Sequence, residues 1–413
     1  MTSTRTRLGS RNAAATVADQ ILSSVGNALA LVCVAQVAAP AVFGVVALVF
    51  AVVTTSLGAG RGAVGVPLLV ASARNSREIR QAAARSVTLC LLNAALCAAV
   101  VLGVGIGLGH PMIALVSLAL PALLVQDMLR YCAIALGQVR RALVSDGLWT
   151  SGMAGVFVLN AFHHSVPVAA VLGIWVALAW IAGVLLSLLL RVDVRTLQYP
   201  DPATGTAERL RLAAVYALDS LGAALVTCIA LVTSGAVVAA AVRGAGTLFG
   251  PVAVLISSLP LTVIPRLSRG TVRGVAPAVG AAVTAVSVVA LAIGVGVPLL
   301  PQSVGAVVLG DTWDRAVDVM PYLGVEYAAL AWFGYFSSVL QAHGQSARLL
   351  AVRLGYGGFQ LIACVYAGLS WGTGPAIATA LALSGIVGTL AAAVCVRLSR
   401  VDREFVSVAA DHE

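Results

Sequence analysis

The sequence has no lysine: arginine supplies every one of its 25 basic side chains. Charge of either sign is scarce as well, at 10% of 413 residues, where a soluble domain carries about a quarter. That scarcity excludes an ordinary soluble protein. With 60% hydrophobic residues and a mean hydropathy of +1.01, it leaves a polytopic membrane protein. At ~20 residues per crossing, the apolar supply suffices for roughly twelve helices. Cysteine is present but unorganised: Cys33, Cys90, Cys97, Cys132, Cys228, Cys364 and Cys395 all fall in apolar segments, without a CxxC pair or a histidine at metal spacing. A disulfide framework and a metal site are thereby excluded, and these thiols read as small packing residues. No Walker A loop, HExxH motif or Gly-x-Ser-x-Gly elbow occurs, so ATP hydrolysis and proteolysis lack candidate residues. Neither an enzyme nor a bound cofactor is expected. The first apolar run contains Asp19, Gln20 and Asn27 and lacks a cleavage site, so no signal peptide is expected to be removed.

A net charge of +9 on a soluble domain would point to nucleic acid; here the positives must first be sorted against the apolar runs. Those runs lie near 17–38, 42–69, 86–108, 111–136, 142–162, 167–190, 212–233, 236–265, 276–300, 319–341, 347–370 and 374–396, which predicts twelve spans. Alternate connections then hold 21 of the 25 arginines. The opposite connections are very short, and the one long loop, 301–318, carries Asp311, Asp314 and Asp318 against Arg315. By the positive-inside rule both termini are expected in the cytoplasm, and no nucleic-acid partner is expected. A single outer loop of about eighteen residues also leaves no room for an outer catalytic domain, so transport is the leading class.

The halves flanking the cytoplasmic stretch 191–211 share features. Pro121-Ala-Leu-Leu-Val-Gln-Asp in the fourth span matches Pro321-Tyr-Leu-Gly-Val-Glu-Tyr in the tenth, and both run on to Gly-Gln, at Gly137 and Gly344. Asp19 and Asp219 stand in the first and seventh spans, and Arg-Gly-Ala recurs at Arg61 and Arg243. The expected fold is an all-α polytopic membrane protein of about twelve transmembrane helices, in two six-helix lobes related by a pseudo-two-fold axis. The lobes are 1–190 and 212–413, with 191–211 as a cytoplasmic linker. Arg61 lies about twenty residues into its span and Arg243 about seven, so at ~1.5 Å per residue the two are not symmetry mates.

An ionisable residue in a span costs at least ~2.5–3.5 kcal/mol on insertion scales and is a functional candidate by default. Asp127 and Arg130 stand three apart on one helical face and can pair directly, as a polar clasp or a gate. Asp146 reads as a helix cap near the cytoplasmic edge. Arg61 and Arg243 have no acid within four residues and are embedded in glycine. They are expected either to face a watery cavity, where a guanidinium binds phosphate bidentately and glycines admit a headgroup, or to pair with Asp19 or Asp219. Asp19 shares a polar stripe with Ser23 and Asn27, suited to a coupling ion or to an interhelical seam. Asp219 and Glu326 are further candidates for carrying a coupling proton.

Several of these segments together resemble the polysaccharide exporters, the O-antigen-type flippases of the multidrug, oligosaccharidyl-lipid and polysaccharide exporter superfamily. They are Asp19-Gln20 with Ser23 and Asn27, Pro40 to Gly44, Pro121 to Arg130, Gly137 to Arg141, Asp146 to Trp149, Arg243 to Pro251 and Leu309 to Trp313. The resemblance implies an alternating-access carrier that moves an undecaprenyl-pyrophosphate-linked oligosaccharide to the outer leaflet, driven by an H+ or Na+ gradient, for surface polysaccharide biosynthesis. Polysaccharide polymerase and glycosyltransferases are then the expected partners beside the bilayer itself. The alternative is a cation-coupled multidrug or small-solute antiporter. A major-facilitator carrier is disfavoured, because the loop after the second span lacks Gly-x-x-x-Asp-Arg.

Overall fold

In the computed structural model the chain is described over residues 2–38, 40–107, 109, 114–163, 166–192, 205–268, 272–303 and 313–410. Nearly all of it is helix, and no strand occurs among the described residues. The helices are α1 (Thr2–Val37), α2 (Pro40–Gly60), a π-helical turn (Arg61–Gly65) running into the short α3 (Val66–Val70), α4 (Ser76–Gly107), α5 (Leu115–Ala135), α6 (Val139–His163) and α7 (Val168–Leu190). After them come α8 (Thr206–Ser234), α9 (Ala236–Leu248), α10 (Gly250–Ser268), α11 (Val272–Gly296), α12 (Trp313–Ala342), α13 (Ser346–Ser370) and α14 (Gly374–Ala410). Helices are what an apolar chain must form in a bilayer, where each backbone N–H and C=O needs an internal partner.

Among the described residues, eleven helical stretches are long and apolar enough to cross a membrane. A further one, α12, has 30 residues, ample at 1.5 Å each, but Glu326 and its aromatic and proline neighbours lower its hydropathy. The all-α, roughly twelve-span class read from composition is the observed one. Where one continuous span was expected over 236–265, the structure has two helices meeting at Phe249. Pro251 supplies the reason, since it has no N–H to continue the ladder and disfavours helical geometry at the residue before it.

The chain divides into two compact units, Met1–Ser220 and Leu221–Glu413, so the division falls inside α8. In the first unit α5 is the buried centre, with nearly every residue from Ala119 to Ala135 covered. Beside it α1 is tied to α6 by polar contacts that a bilayer rewards: Thr150 Oγ1 donates to the Leu22 carbonyl at 2.9 Å and Asn160 Nδ2 to that of Cys33 at 3.3 Å. Asn93 of α4 exchanges two hydrogen bonds with Ser56 of α2. At the end of α7, the carbonyls of Leu189 and Leu190 are capped by Arg141 and Arg80, as favoured at a helix C-terminus. Arginines counted only toward orientation thus also complete a helix.

In the second unit α12 is the centre. Gly294 of α11 and Gly324 of α12 bring their backbones together, so that a Cβ on Gly324 would stand 3.1 Å from the Ala290 carbonyl and 3.1 Å from Gly294 Cα. Small residues permit such close helix packing in lipid. Thr389 of α14 donates to the Ala329 carbonyl at 2.8 Å and Ser287 of α11 to that of Ala328 at 3.1 Å.

The two Gly-Gln pairs read from sequence are the same turn. Gly137 and Gly344 both have φ +70°, and the following N–H bonds back to Ala133 and to Leu340, at 2.8 and 2.9 Å. A left-handed residue closing a helix with this bond favours glycine. Once those turns are superimposed, however, the prolines do not correspond: Pro121 precedes its turn by 16 residues and Pro321 by 23. The difference is two helical turns, so Asp127, ten residues before Gly137, and Glu326, eighteen before Gly344, lie at different depths, by ~12 Å at 1.5 Å per residue.

Replacing Gly324 by Val is expected to cost ~1–3 kcal/mol through overpacking, while Gly355→Val, at a position open to its surroundings, leaves stability nearly unchanged. Thermal denaturation midpoints in detergent measure both, and equal midpoints would contradict the close α11–α12 packing.

Candidate functional site

The first unit encloses a set of charges drawn from four elements. Arg130 on α5 is at its centre, with a side chain only 3% exposed. Its Nη2 donates to Asp19 Oδ2 of α1 at 2.8 Å, its Nη1 to Asp127 Oδ1 one turn back at 3.1 Å, and its Nε to Asp19 Oδ2 at 3.2 Å. The same Nε lies 2.9 Å from Asp146 Oδ2 of α6. Because its single hydrogen is directed at Asp19, that approach is an ion pair without an aligned hydrogen bond. Asp127 in turn accepts two parallel bonds from Arg61, Nε to Oδ2 at 2.9 Å and Nη2 to Oδ1 at 3.0 Å, the fork geometry in which guanidinium and carboxylate match. Gln126 Nε2 donates to Asp146 Oδ1 at 2.5 Å.

Local sequence explains the convergence. Gln126, Asp127 and Arg130 occupy one broad face of α5 at spacings of three and four, and that face is buried. Charges so placed are tolerated only when neutralised by one another. Three carboxylates, Asp19, Asp127 and Asp146, meet two guanidiniums, Arg61 and Arg130, which leaves one acid in excess. Two carboxylate oxygens, Asp19 Oδ1 and Asp146 Oδ2, are buried and accept no hydrogen bond among the described residues. A surplus buried acid, with Asp19 Oδ1 unpaired and Asp146 Oδ2 met only by the misaligned Arg130 Nε, is a place for a proton or a monovalent cation.

Several expectations are corrected by this geometry. Arg61, with no acid within four residues, meets one from another helix, and the partner is Asp127, 66 residues away in sequence, in place of Asp19 or Asp219. Its neighbouring glycines serve packing in place of a headgroup, since a Cβ at Gly62 would overlap the Leu212 carbonyl and one at Gly65 would stand 2.7 Å from the Tyr131 ring. Asp146 does not cap α6. It lies seven residues into that helix, two turns past any capping position, and joins the network. The Asp127–Arg130 pair is one edge of a larger cluster.

Asn27 turns back on its own helix, donating to the Ser23 carbonyl at 3.0 Å, and so stands outside the network. Asp219 is exposed on α8, and Arg243 is exposed on α9 beside Gly246, around which there is open space. Glu326 is buried on α12 at 7% exposure, near Tyr327 of its own helix and Tyr356 of α13. Its carboxylate has no hydrogen bond or ion pair among the described residues. Phe249 stacks on Tyr327 with ring centroids 4.8 Å apart. Gln126 and Asp146 are the network members that sequence reasoning missed. Their signal was positional: Gln126 is four residues from Arg130, and Asp146 is too deep in its helix for a cap.

No family model matches the chain, and no curated protein matches it either. Solved structures do. A MATE transporter in complex with MaL6 is 13% identical, with 95% of each chain covered and a TM-score of 0.76. A MOP superfamily transporter from Pyrococcus furiosus is 13% identical, covering 94% of this chain and 95% of that one at a TM-score of 0.75. An outward-facing multidrug resistance MATE family transporter of the same superfamily is 14% identical, covering 94% and 96% at a TM-score of 0.75. This chain therefore has the fold of the MATE transporters.

Replacing Arg130 by Met leaves three acids facing one guanidinium and is expected to cost ~3–5 kcal/mol. Arg61→Met should cost less, because that side chain is still 26% exposed and its charge is partly solvated. Thermal unfolding followed by size-exclusion chromatography reads the difference; a larger loss for Arg61→Met would contradict the central position of Arg130.

Proposed function

We propose that the protein is an ion-coupled antiporter that exports cationic or amphipathic solutes by alternating access. The single observation that carries this reading is the charge imbalance of the N-terminal network, one acid more than its arginines can neutralise, with Asp19 Oδ1 and Asp146 Oδ2 accepting no hydrogen bond among the described residues. A site of that sign attracts H+, Na+ or a cationic solute. An exporter driven by an inward gradient requires ion and substrate to weaken each other's binding, a reciprocal coupling, and two cations competing for one set of carboxylates supply it. An anionic substrate would not: it would compete with Asp127 for Arg61, and neutralising Asp127 would favour its binding. The fold agrees, since one protein of this fold is a multidrug resistance transporter. Another has a binding pocket of reverse polarity that suggests a different function, so the sign of the charge discriminates within the fold. Glu326, buried with no hydrogen bond or ion pair among the described residues, is the candidate for ion coupling in the second unit.

A second reading, flipping of an undecaprenyl-pyrophosphate-linked oligosaccharide between lobes 1–190 and 212–413, draws its support from Arg243, exposed and next to the open Gly246. It carries with it polysaccharide polymerase and glycosyltransferases as partners. Both readings share a bacterial inner-membrane location with cytoplasmic termini.

In proteoliposomes with an imposed pH or sodium gradient, the antiporter reading expects counterflow of a lipophilic cation that is lost in Asp19→Asn and Asp127→Asn and retained in Arg243→Ala. Loss only in Arg243→Ala, together with export of surface polysaccharide abolished by the same change in cells, would replace it with the flippase.

A further inference from the structure

The π-helical turn Arg61–Gly65 interrupts its span at the residue that grips Asp127, and its origin is local. Pro67 has no N–H, so the Ala63 carbonyl loses the donor that an α-helix would provide four residues on. The chain crosses this gap by a wider turn, in which the Val66 N–H bonds to the Arg61 carbonyl. Single turns of this kind are rare and concentrate at functional sites. The Ala63 carbonyl is taken by Nη1 of Arg209, 3.2 Å away in the first turn of α8. Around this bond α8 lies directly on the turn and on the end of α2. A Cβ at Gly62 would overlap the Leu212 carbonyl, and one at Gly58 would stand 2.8 Å from that of Tyr216. Those contacts are to backbone, which cannot yield as a flexible side chain can.

One five-residue stretch therefore has two attachments. Its first residue donates to Asp127 and its third accepts from Arg209, and both bonds depend on the wide register between them. We propose that the Arg61–Gly65 turn is the transmission element of the N-terminal unit. When Asp127 is charged, Arg61 holds the π register and the first four turns of α8 are docked; when Asp127 is neutral, Arg61 is released and those turns loosen. The groups facing Asp127 are Arg61 from the π turn, Arg130 and Tyr131 from α5, Cys90 from α4 and Asp146 from α6, with Asp19 of α1 on the far side of Arg130. Of these, Arg61 sits in the segment on which α8 rests. Because α8 continues unbroken from Thr206 to Ser234, a change in its docked turns is carried along one helix out of the unit. The inference rests on the coupling role given above to the network.

Hydrogen exchange on the full-length protein in lipid nanodiscs tests it without any transport measurement. The segment 206–220 should exchange about tenfold faster in Asp127→Asn than in the unaltered protein, with α7 unchanged as an internal control. Gly62→Ala should reach the same fast exchange whichever residue stands at 127. Arg209→Ala removes the hydrogen bond to the Ala63 carbonyl without crowding any backbone, and it should raise exchange in 206–220 alone. Slow exchange of 206–220 in Asp127→Asn, or no response to Arg209→Ala, would overturn the proposal. If exchange responds as expected while no ion gradient drives transport, the transmission element stands and the coupling reading falls.

Discussion

The structure of the first unit depends on how a guanidinium survives deep in a bilayer protein. Arg130 has almost no exposed surface, and an unpaired cation there would cost far more than one helix can recover. Asp19, Asp127 and Asp146 surround it from three helices, and each needs Arg130 as much as it needs them. The cluster thereby sets the relative placement of α1, α5 and α6 more sharply than apolar packing alone, because apolar faces slide in lipid at little cost whereas ion pairs do not. Replacing such a cluster by well-packed apolar residues often costs nothing in stability. Its presence therefore calls for a role beyond holding helices together, and the surplus acid supplies one.

Irregular backbone accompanies the charged side chains. Arg61 occupies a π turn, and Arg243 lies six residues before the break at Phe249. Both spans carry a proline just beyond the irregularity, Pro67 and Pro251, and in each the missing N–H dictates where the helix departs from α geometry. Interrupted hydrophobic segments in matching halves of a transporter point to working parts, since broken backbone in a membrane is retained only where protein or water satisfies it. At Ala63 the satisfying group is Arg209, which makes a folding requirement into a contact between elements.

Much of this was legible in the sequence, for stated reasons. Span number and helical class follow from apolar run length, because the bilayer leaves a chain few alternatives. The matching turns at Gly137 and Gly344 were visible as Gly-Gln pairs, since a left-handed helix end favours glycine. Partners distant in sequence were not. Asp127 and Arg61 are joined by the packing of two spans; Pro67 marks where the helix widens, but nothing local says which helix the arginine at that turn meets. Asp146 was misread because its nearness to the end of an apolar run was taken for nearness to the end of a helix, and α6 in fact begins at Val139. The glycines around Arg61 were visible as a cluster, but only packing reveals that α8 and Tyr131 fill the space they leave.

Function then turns on the sign of one site. The fold is shared by transporters whose pockets differ in polarity, so architecture alone does not select a substrate, and what remains to discriminate is the balance of three acids against two arginines. Proton release on substrate binding measures that balance. In weakly buffered detergent solution with a pH indicator, binding of a lipophilic cation to the purified protein should release a proton for each cation bound, and Asp19→Asn should abolish the release. Binding without proton release, or with uptake, would contradict competition at these carboxylates and with it the account of coupling.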